Sequence, residues 1–122
     1  MDSFVRTYDD IVKASQNTTT RNMVIWQGKN GGSFQFGWKG YDVQKPVKNY
    51  NWDIIANEYQ TPTVWNGTNT RSNNALISCV DASGAKMAGP YEFYNMNIDG
   101  VARNFMMLSL DDDGYLKNIN FY

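Results

Sequence analysis

The sequence contains no histidine and a single cysteine, Cys79, among its 122 residues. Without histidine the chain cannot build a Ser-His-Asp triad or the commonest zinc sites, and it lacks the usual general base. A single cysteine excludes an internal disulfide and leaves the redox compartment open. An enzyme made from this chain would depend on carboxylates, Tyr, Lys, Arg or Cys79, so the composition favours binding over catalysis.

Charge and hydropathy exclude two classes of partner. The chain has 11 basic and 12 acidic residues, scattered along its length, whereas a nucleic-acid groove or a polybasic membrane anchor needs a concentrated basic face. No apolar run approaches the ~18 residues of a membrane-spanning helix, and the charged residues within Met1–Ala14 are not typical of a signal peptide. We expect no nucleic acid, membrane, cofactor or metal. The compartment stays open between the cytoplasm and secretion after removal of a leader.

Length and hydrophobic content predict one domain over residues 1–122, with 42% hydrophobic residues to fill a core. Phe4, Val5, Tyr8, Ile11 and Val12 follow the spacing of a single helical face, which predicts an amphipathic helix over Asp2–Ser15. From Met23 onward the apolar residues form short runs or alternate with polar ones, as in strands. Predicted strands lie near residues 23–26, 34–38, 75–80, 91–95, 101–110 and 115–122.

The turns predict how these strands pair. Asp-Gly pairs at 99–100 and 113–114 are typical of hairpin turns. We therefore expect Val101–Leu110 to pair antiparallel with Tyr115–Tyr122, and no internal repeat is evident. The predicted fold class is α+β: a curved, cone-like antiparallel sheet with the N-terminal helix packed on its concave face.

Four C-terminal segments follow one another in an order typical of a known superfamily: Asn74–Val80, Gly89–Phe93, Asp99–Met107 and Asp113–Tyr122. In this order they resemble the closing meander of the nuclear transport factor 2-like (SnoaL-like) superfamily. The resemblance implies an α+β cone whose mouth accepts a small apolar ligand, and a homodimer formed through the sheet. It covers the C-terminal part of the chain and extends poorly into the middle.

The superfamily includes isomerases, cyclases and dehydratases as well as binding and scaffold domains, so the resemblance does not fix a reaction. It implies that an isomerase would carry its base where this chain has Gln27, and its second acid where Arg103 and Asn104 precede Phe105. Of the three isomerase roles, only the tyrosine of the opening helix has a counterpart, Tyr8. Isomerase chemistry is therefore not supported, and we predict no catalytic residue.

Aromatic residues make up 15% of the chain. They either fill the core or line a pocket for an apolar or flat ligand. The predicted function is a small-ligand-binding or accessory and dimerisation domain with an aromatic-lined apolar pocket. The predicted lining residues are Tyr8, Trp26, Trp38, Trp65, Tyr91 and Met106.

Two alternatives remain open. One is an enzyme of the same shape that uses Tyr8, Asp81 or Glu92 as acid or base on a hydrophobic substrate. The other is a carbohydrate-binding β-sandwich, in which Trp38, Trp65 and the Asn-rich loop 66–74 stack against and hydrogen-bond a sugar.

Two further features have simpler explanations. The acidic run 111–113 is expected to cap a turn rather than bind calcium, because the spaced ligands of a calcium loop do not follow it. Cys79 lies in an apolar segment and is expected to be a buried structural residue.

Overall fold

The computed structural model describes residues 2–7, 9–28, 31–37, 40–56, 64–65, 68–69, 75–79, 84–100, 104–108, 110 and 113–122. These residues contain fourteen strands and no helix, so none of them forms a helix able to cross a membrane. The strands are β1 (Ser3–Thr7), β2 (Val12–Lys13), β3 (Thr19–Gln27), β4 (Phe34–Gln35), β5 (Asp42–Val43), β6 (Val47–Ala56), β7 (Val64–Trp65), β8 (Thr68–Asn69), β9 (Ala75–Cys79), β10 (Lys86–Met87), β11 (Tyr91–Gly100), β12 (Asn104–Leu108), β13 (Tyr115–Leu116) and β14 (Ile119–Phe121).

These strands form three parallel sheets, and the chain passes from one sheet to the next in a repeating order. Sheet A has the order β1-β3-β6-β11-β14, sheet B the order β12-β9-β4-β2, and sheet C the order β13-β10-β5. Each circuit through the sheets returns the chain beside its own preceding strand in parallel register. Successive coils therefore stack into a solenoid of the parallel β-helix type. A two-stranded antiparallel hairpin, β7–β8, lies within the long connection from β6 to β9.

The core lies between the sheets, and β6 and β11 of sheet A contribute alternate residues to it, whereas all five residues of β9 are buried. In β6, Trp52 and Ile54 are buried while Asp53 between them is exposed, as the period of two requires. Register places Ile54 beside Ile25 of the preceding coil. Like residues thus stack over like residues from coil to coil.

Aromatic rings occupy the centre of this core. Phe34 meets Phe93 edge-on, with ring centroids 5.0 Å apart, and Phe36 meets Tyr91 in the same manner at 4.9 Å. Edge-to-face packing of this kind adds to the stabilisation from burial itself. The aromatic surplus of the sequence therefore has a structural use here.

A ladder of asparagines marks a bend in sheet A. Asn22, Asn51 and Asn95 all have left-handed backbone conformations, with φ of 52°, 55° and 53°, which asparagine tolerates better than most residues. Asn95 Nδ2 donates to Asn51 Oδ1 (3.1 Å), and Asn51 Nδ2 donates to Asn22 Oδ1 (2.9 Å). Asn22 Nδ2 donates in turn to Asp2 Oδ1 (3.0 Å), which ends the ladder at the first coil.

Each of these three asparagines begins the same short pattern, Asn followed by a large apolar residue, any residue and Ile. The pattern recurs at 22–25, 51–54 and 95–98. The expectation that the chain has no repeat is therefore wrong. The repeat is inconspicuous because its copies are separated by 29 and then 44 residues.

The predicted helix over Asp2–Ser15 is wrong. Ser3–Thr7 forms β1, parallel to β3, and its Phe4 is 62% exposed instead of buried against a sheet. The backbone amides further on are used between coils: Ile11 N donates to Gly32 O (3.0 Å) and Ala14 N donates to Gln35 O (2.8 Å). These long-range bonds satisfy backbone groups that a helix would have paired locally.

The predicted hairpin and the α+β fold class are also wrong, although the strand-rich character is confirmed. Strands do occur at 104–108, 115–116 and 119–121, but they belong to three different sheets. Each pairs in parallel with the coil before it, for example Asn104 beside Ala75. No antiparallel cone with a helix on its concave face is present in the described residues.

Neighbouring isoleucines test the inward and outward assignment of β6. Ile54 is 1% exposed, whereas Ile55 faces outward and is half-buried. We expect Ile54→Ala to lower the free energy of unfolding by about 2–5 kcal/mol, and Ile55→Ala to lower it by about 1 kcal/mol. Urea unfolding of both variants measures the difference, and equal losses would contradict the assignment.

Candidate functional site

Of the six residues predicted to line a pocket, the structure describes the side chains of three, Trp26, Tyr91 and Met106. Tyr8 and Trp38 lie outside the described residues, and Trp65 is placed only as part of the β7 backbone. Trp26 follows the fully buried Ile25 and faces the outer side of sheet A, where the Arg6 guanidinium lies 4.5 Å from its ring centroid. This position is too far outward for the lining of an interior pocket.

Tyr91 and Met106 lie on the inner side of the sheets. Tyr91 is completely buried, and burial raises the pKa of its phenol while leaving the hydroxyl without a hydrogen-bond partner. Met106 pairs in register with Ile77 and packs against the core from the last coil. Tyr91 is therefore a core residue, and only Met106 lies near the end of the solenoid.

The acid–base candidates find structural partners where they are described. Glu92 forms an ion pair with Lys48 (3.3 Å) in the neighbouring coil, and this contact raises the pKa of Lys48. Asp113 is not one of these candidates but belongs to the acidic run expected to cap a turn; its Oδ1 accepts a hydrogen bond from Gly84 N (3.1 Å), which joins two turns. Asp81, like Tyr8, lies outside the described residues.

Two further expectations concern Gln27 and metal binding. Gln27, at the place of the isomerase base, is buried and accepts a hydrogen bond from Ser33 Oγ (3.1 Å). Among the described residues no group of three His, Cys, Asp or Glu side chains is arranged to hold a metal ion.

An apolar groove lies at the C-terminal end of the solenoid and forms the best-defined candidate site. Its volume is about 440 Å³, and none of the described side chains that line it is charged. We call it the end groove. It is lined by Phe93, Met96, Ile98, Phe105, Phe121 and Tyr122.

The end groove is apolar because no strand among the described residues covers the inward positions of β11 beyond Asn95. Ile98 occupies the inward position that Ile54 fills one coil earlier, yet it is 37% exposed whereas Ile54 is 1% exposed. Phe121 stacks on Phe93 (4.8 Å between centroids, 14° between planes) and is itself 43% exposed. The end groove thus contains residues at core positions that no described coil covers, and its aromatic rings are exposed to solvent.

An unpaired strand edge borders the end groove. β14 pairs only with Tyr91–Phe93 of β11, and the last backbone bond between them is from Asn95 N to Tyr122 O (3.2 Å). Beyond it, Met96–Gly100 pairs with β6 on one side. On the other side it has no strand partner among the described residues.

The comparisons with known proteins identify no relative: no family model, no curated protein and no solved structure matches the chain. Nothing in them points to the nuclear transport factor 2-like superfamily. The α+β cone that this resemblance implies also differs from the parallel coils observed.

The groove residues Ile98, Phe105, Phe121 and Tyr122 are absent from the predicted site. In the sequence, each of them looks like an ordinary apolar residue of a strand in which apolar and polar residues alternate. The recurring Asn-apolar-x-Ile pattern would have aligned Ile98 with Ile25 and Ile54, and would have shown that Ile98 belongs to the last of three copies.

Burial predicts that Cys79 is chemically inert. Its side chain is fully buried, and desolvation raises the pKa of the thiol to about 11. Only the thiolate reacts readily, and this group is protonated at pH 8. We expect a thiol reagent at that pH to leave native Cys79 unmodified and to label it fully in denaturant. Rapid labelling of the native protein, measured by mass spectrometry, would place Cys79 outside the core.

Proposed function

We propose that this chain is a non-catalytic binding and assembly module that associates with another polypeptide through the end groove. The observation that supports this most strongly is the run of normally inward residues left exposed at the last coil. In a solenoid each repeat is stable because neighbours cover its faces, and a terminal repeat needs a polar cap or a partner. Here the last described coil presents apolar and aromatic side chains that no described residue covers.

The size of the exposed apolar surface is typical of an interaction site. Six large side chains of the last coil are 37–68% exposed: Ile98, Phe105, Leu108, Leu110, Phe121 and Tyr122. At about 200 Å² for each fully exposed large side chain, the four that line the end groove (Ile98, Phe105, Phe121 and Tyr122) present roughly 390 Å². This area is within the range of the largest apolar patch on a typical monomer, and such patches are often functional.

A polypeptide fits this surface better than a compact small molecule. The end groove is open, and it runs beside the backbone edge of Met96–Gly100, whose amide and carbonyl groups need hydrogen-bond partners. A small apolar ligand would cover the rings but leave this edge unpaired. The predicted aromatic-lined binding site thus becomes a docking surface at the end of the coil.

A fluorescent apolar dye tests whether the end groove takes an apolar partner. We expect ANS to bind and fluoresce with the wild-type chain, and Phe105→Ser to reduce this fluorescence several-fold because it removes a ring from the groove. Phe4→Ser is the matched control, since Phe4 is also a largely exposed phenylalanine but lies on β1 in the first coil.

The control should retain the wild-type fluorescence, and urea midpoints of both variants should show that they are folded. Dye binding that survives Phe105→Ser, or that is lost equally in Phe4→Ser, would contradict the proposed function.

A further inference from the structure

The end groove and its border also indicate what kind of polypeptide fits them. We propose that the edge Met96–Gly100 accepts an added parallel strand whose sequence reads Asn, large apolar residue, any residue, Ile or Val. This inference rests on the proposed function and specifies its partner. It is carried by three features: the backbone edge, the stacked columns of side chains and the direction of the asparagine ladder.

The backbone edge has donors directed at the open side. Gly28, which directly follows β3, donates its N–H to Thr7 O of the preceding coil (2.9 Å). Backbone amides alternate in direction along a strand, so the amide of Ile25, three residues before Gly28, is directed toward the following coil. Ile98 occupies the position in β11 that Ile25 occupies in β3. The amides of Ile98 and, two residues further on, Gly100 are therefore directed toward the open side. An extended segment laid along this edge would pair with them as the next strand of sheet A, which is the β-augmentation mode of peptide recognition.

The columns of sheet A define the side chains that suit the new strand. The column that ends at Met96 contains Met23 and Trp52, and the column that ends at Ile98 contains Ile25 and Ile54. The next members of these columns would rest on Met96 and Ile98 inside the end groove. A large apolar residue and a β-branched residue two positions later match them, and a polar residue between them would face solvent.

The hydrogen bonds of the asparagine ladder all run in one direction. Every amide in it donates toward the first coil, so Asn95 presents Oδ1 as a hydrogen-bond acceptor at the open end. A partner residue at this level must therefore donate, as the amide of Asn does and a carboxylate cannot.

The same direction of the hydrogen bonds disfavours a second copy stacked head-to-tail. Such a copy would bring the Asp2 carboxylate, which closes the ladder at the first coil, against Asn95 Oδ1. Two acceptors would then face each other, and a continuous stack of identical chains would lose the ladder at every junction.

A synthetic peptide tests the inference directly. The probe copies residues 51–56 of this chain, which contain Asn51, Trp52 and Ile54 in the required order and match in register the positions 95–100 that β14 leaves open. We expect it to bind the folded full chain and to slow hydrogen exchange at the Ile98 amide. Fluorescence anisotropy of the labelled peptide measures its affinity, and NMR of the protein measures exchange.

Two altered peptides serve as controls. An Asn51→Asp peptide keeps its shape but has no side-chain donor for Asn95 Oδ1, and it should bind about tenfold more weakly. A peptide N-methylated at alternate backbone amides keeps the apolar side chains but cannot pair with the edge, and it should neither bind comparably nor protect the Ile98 amide.

The results separate this inference from the proposed function. If ANS binds the end groove but the unmodified peptide does not bind, the strand inference is overturned and the proposed function stands. If the N-methylated and unmodified peptides bind equally, the groove takes apolar segments without strand addition, and the inference is again overturned. If Phe105→Ser abolishes neither dye nor peptide binding, both fail.

Discussion

The left-handed asparagines in sheet A fix the register on which the rest of the structure depends. Each places a bend at the same point of its strand, and the amide hydrogen bonds that join them align the bends from coil to coil. A slip of one residue would separate these amides and would move every inward side chain to the outer face. The ladder therefore selects one alignment of the coils among several that the apolar pattern alone would allow.

Once the coils are aligned, like side chains stack upon like. Ile25, Ile54 and Ile98 occupy one inward column, while Tyr50 and Tyr94 stack on the outer face with ring centroids 4.7 Å apart. Stacking of this kind gives each inward residue two neighbours, one from the coil before and one from the coil after. In the part of the chain that the structure describes, the last coil has only the first of these neighbours, and for this reason the end groove has the composition of a core and the exposure of a surface.

The sequence predicts the strands better than it predicts their arrangement. Short apolar runs correctly indicate strands at residues 23–26 and 75–79, and alternation does so at 91–95, because both signals are local. The five apolar residues between Phe4 and Val12 match a helix in spacing, but the amides of Ile11 and Val12 donate to Gly32 O and Ser33 O of the next coil. Local spacing carries no information about such partners, and the Asp-Gly pairs likewise favour antiparallel hairpins where parallel coils form. The end groove is harder still to predict, since Ile98 has the same local pattern as Ile54 and differs from it in having no described coil beyond it.

The central claim is that β6 and β11 lie side by side in parallel, with Asp53 next to Asn97. Parallel neighbours are about 4.8 Å apart, which is within the Cα separation of about 4.4–6.8 Å that a disulfide spans. In a Cys79→Ala background, we predict that Asp53→Cys and Asn97→Cys form an intramolecular disulfide under mild oxidation, as judged by loss of free thiol at unchanged oligomeric mass. The pair Asp53→Cys and Asp99→Cys, displaced by two residues along the strand to roughly 8 Å, should remain reduced. Faster oxidation of the displaced pair would contradict the register and with it the stacked coils.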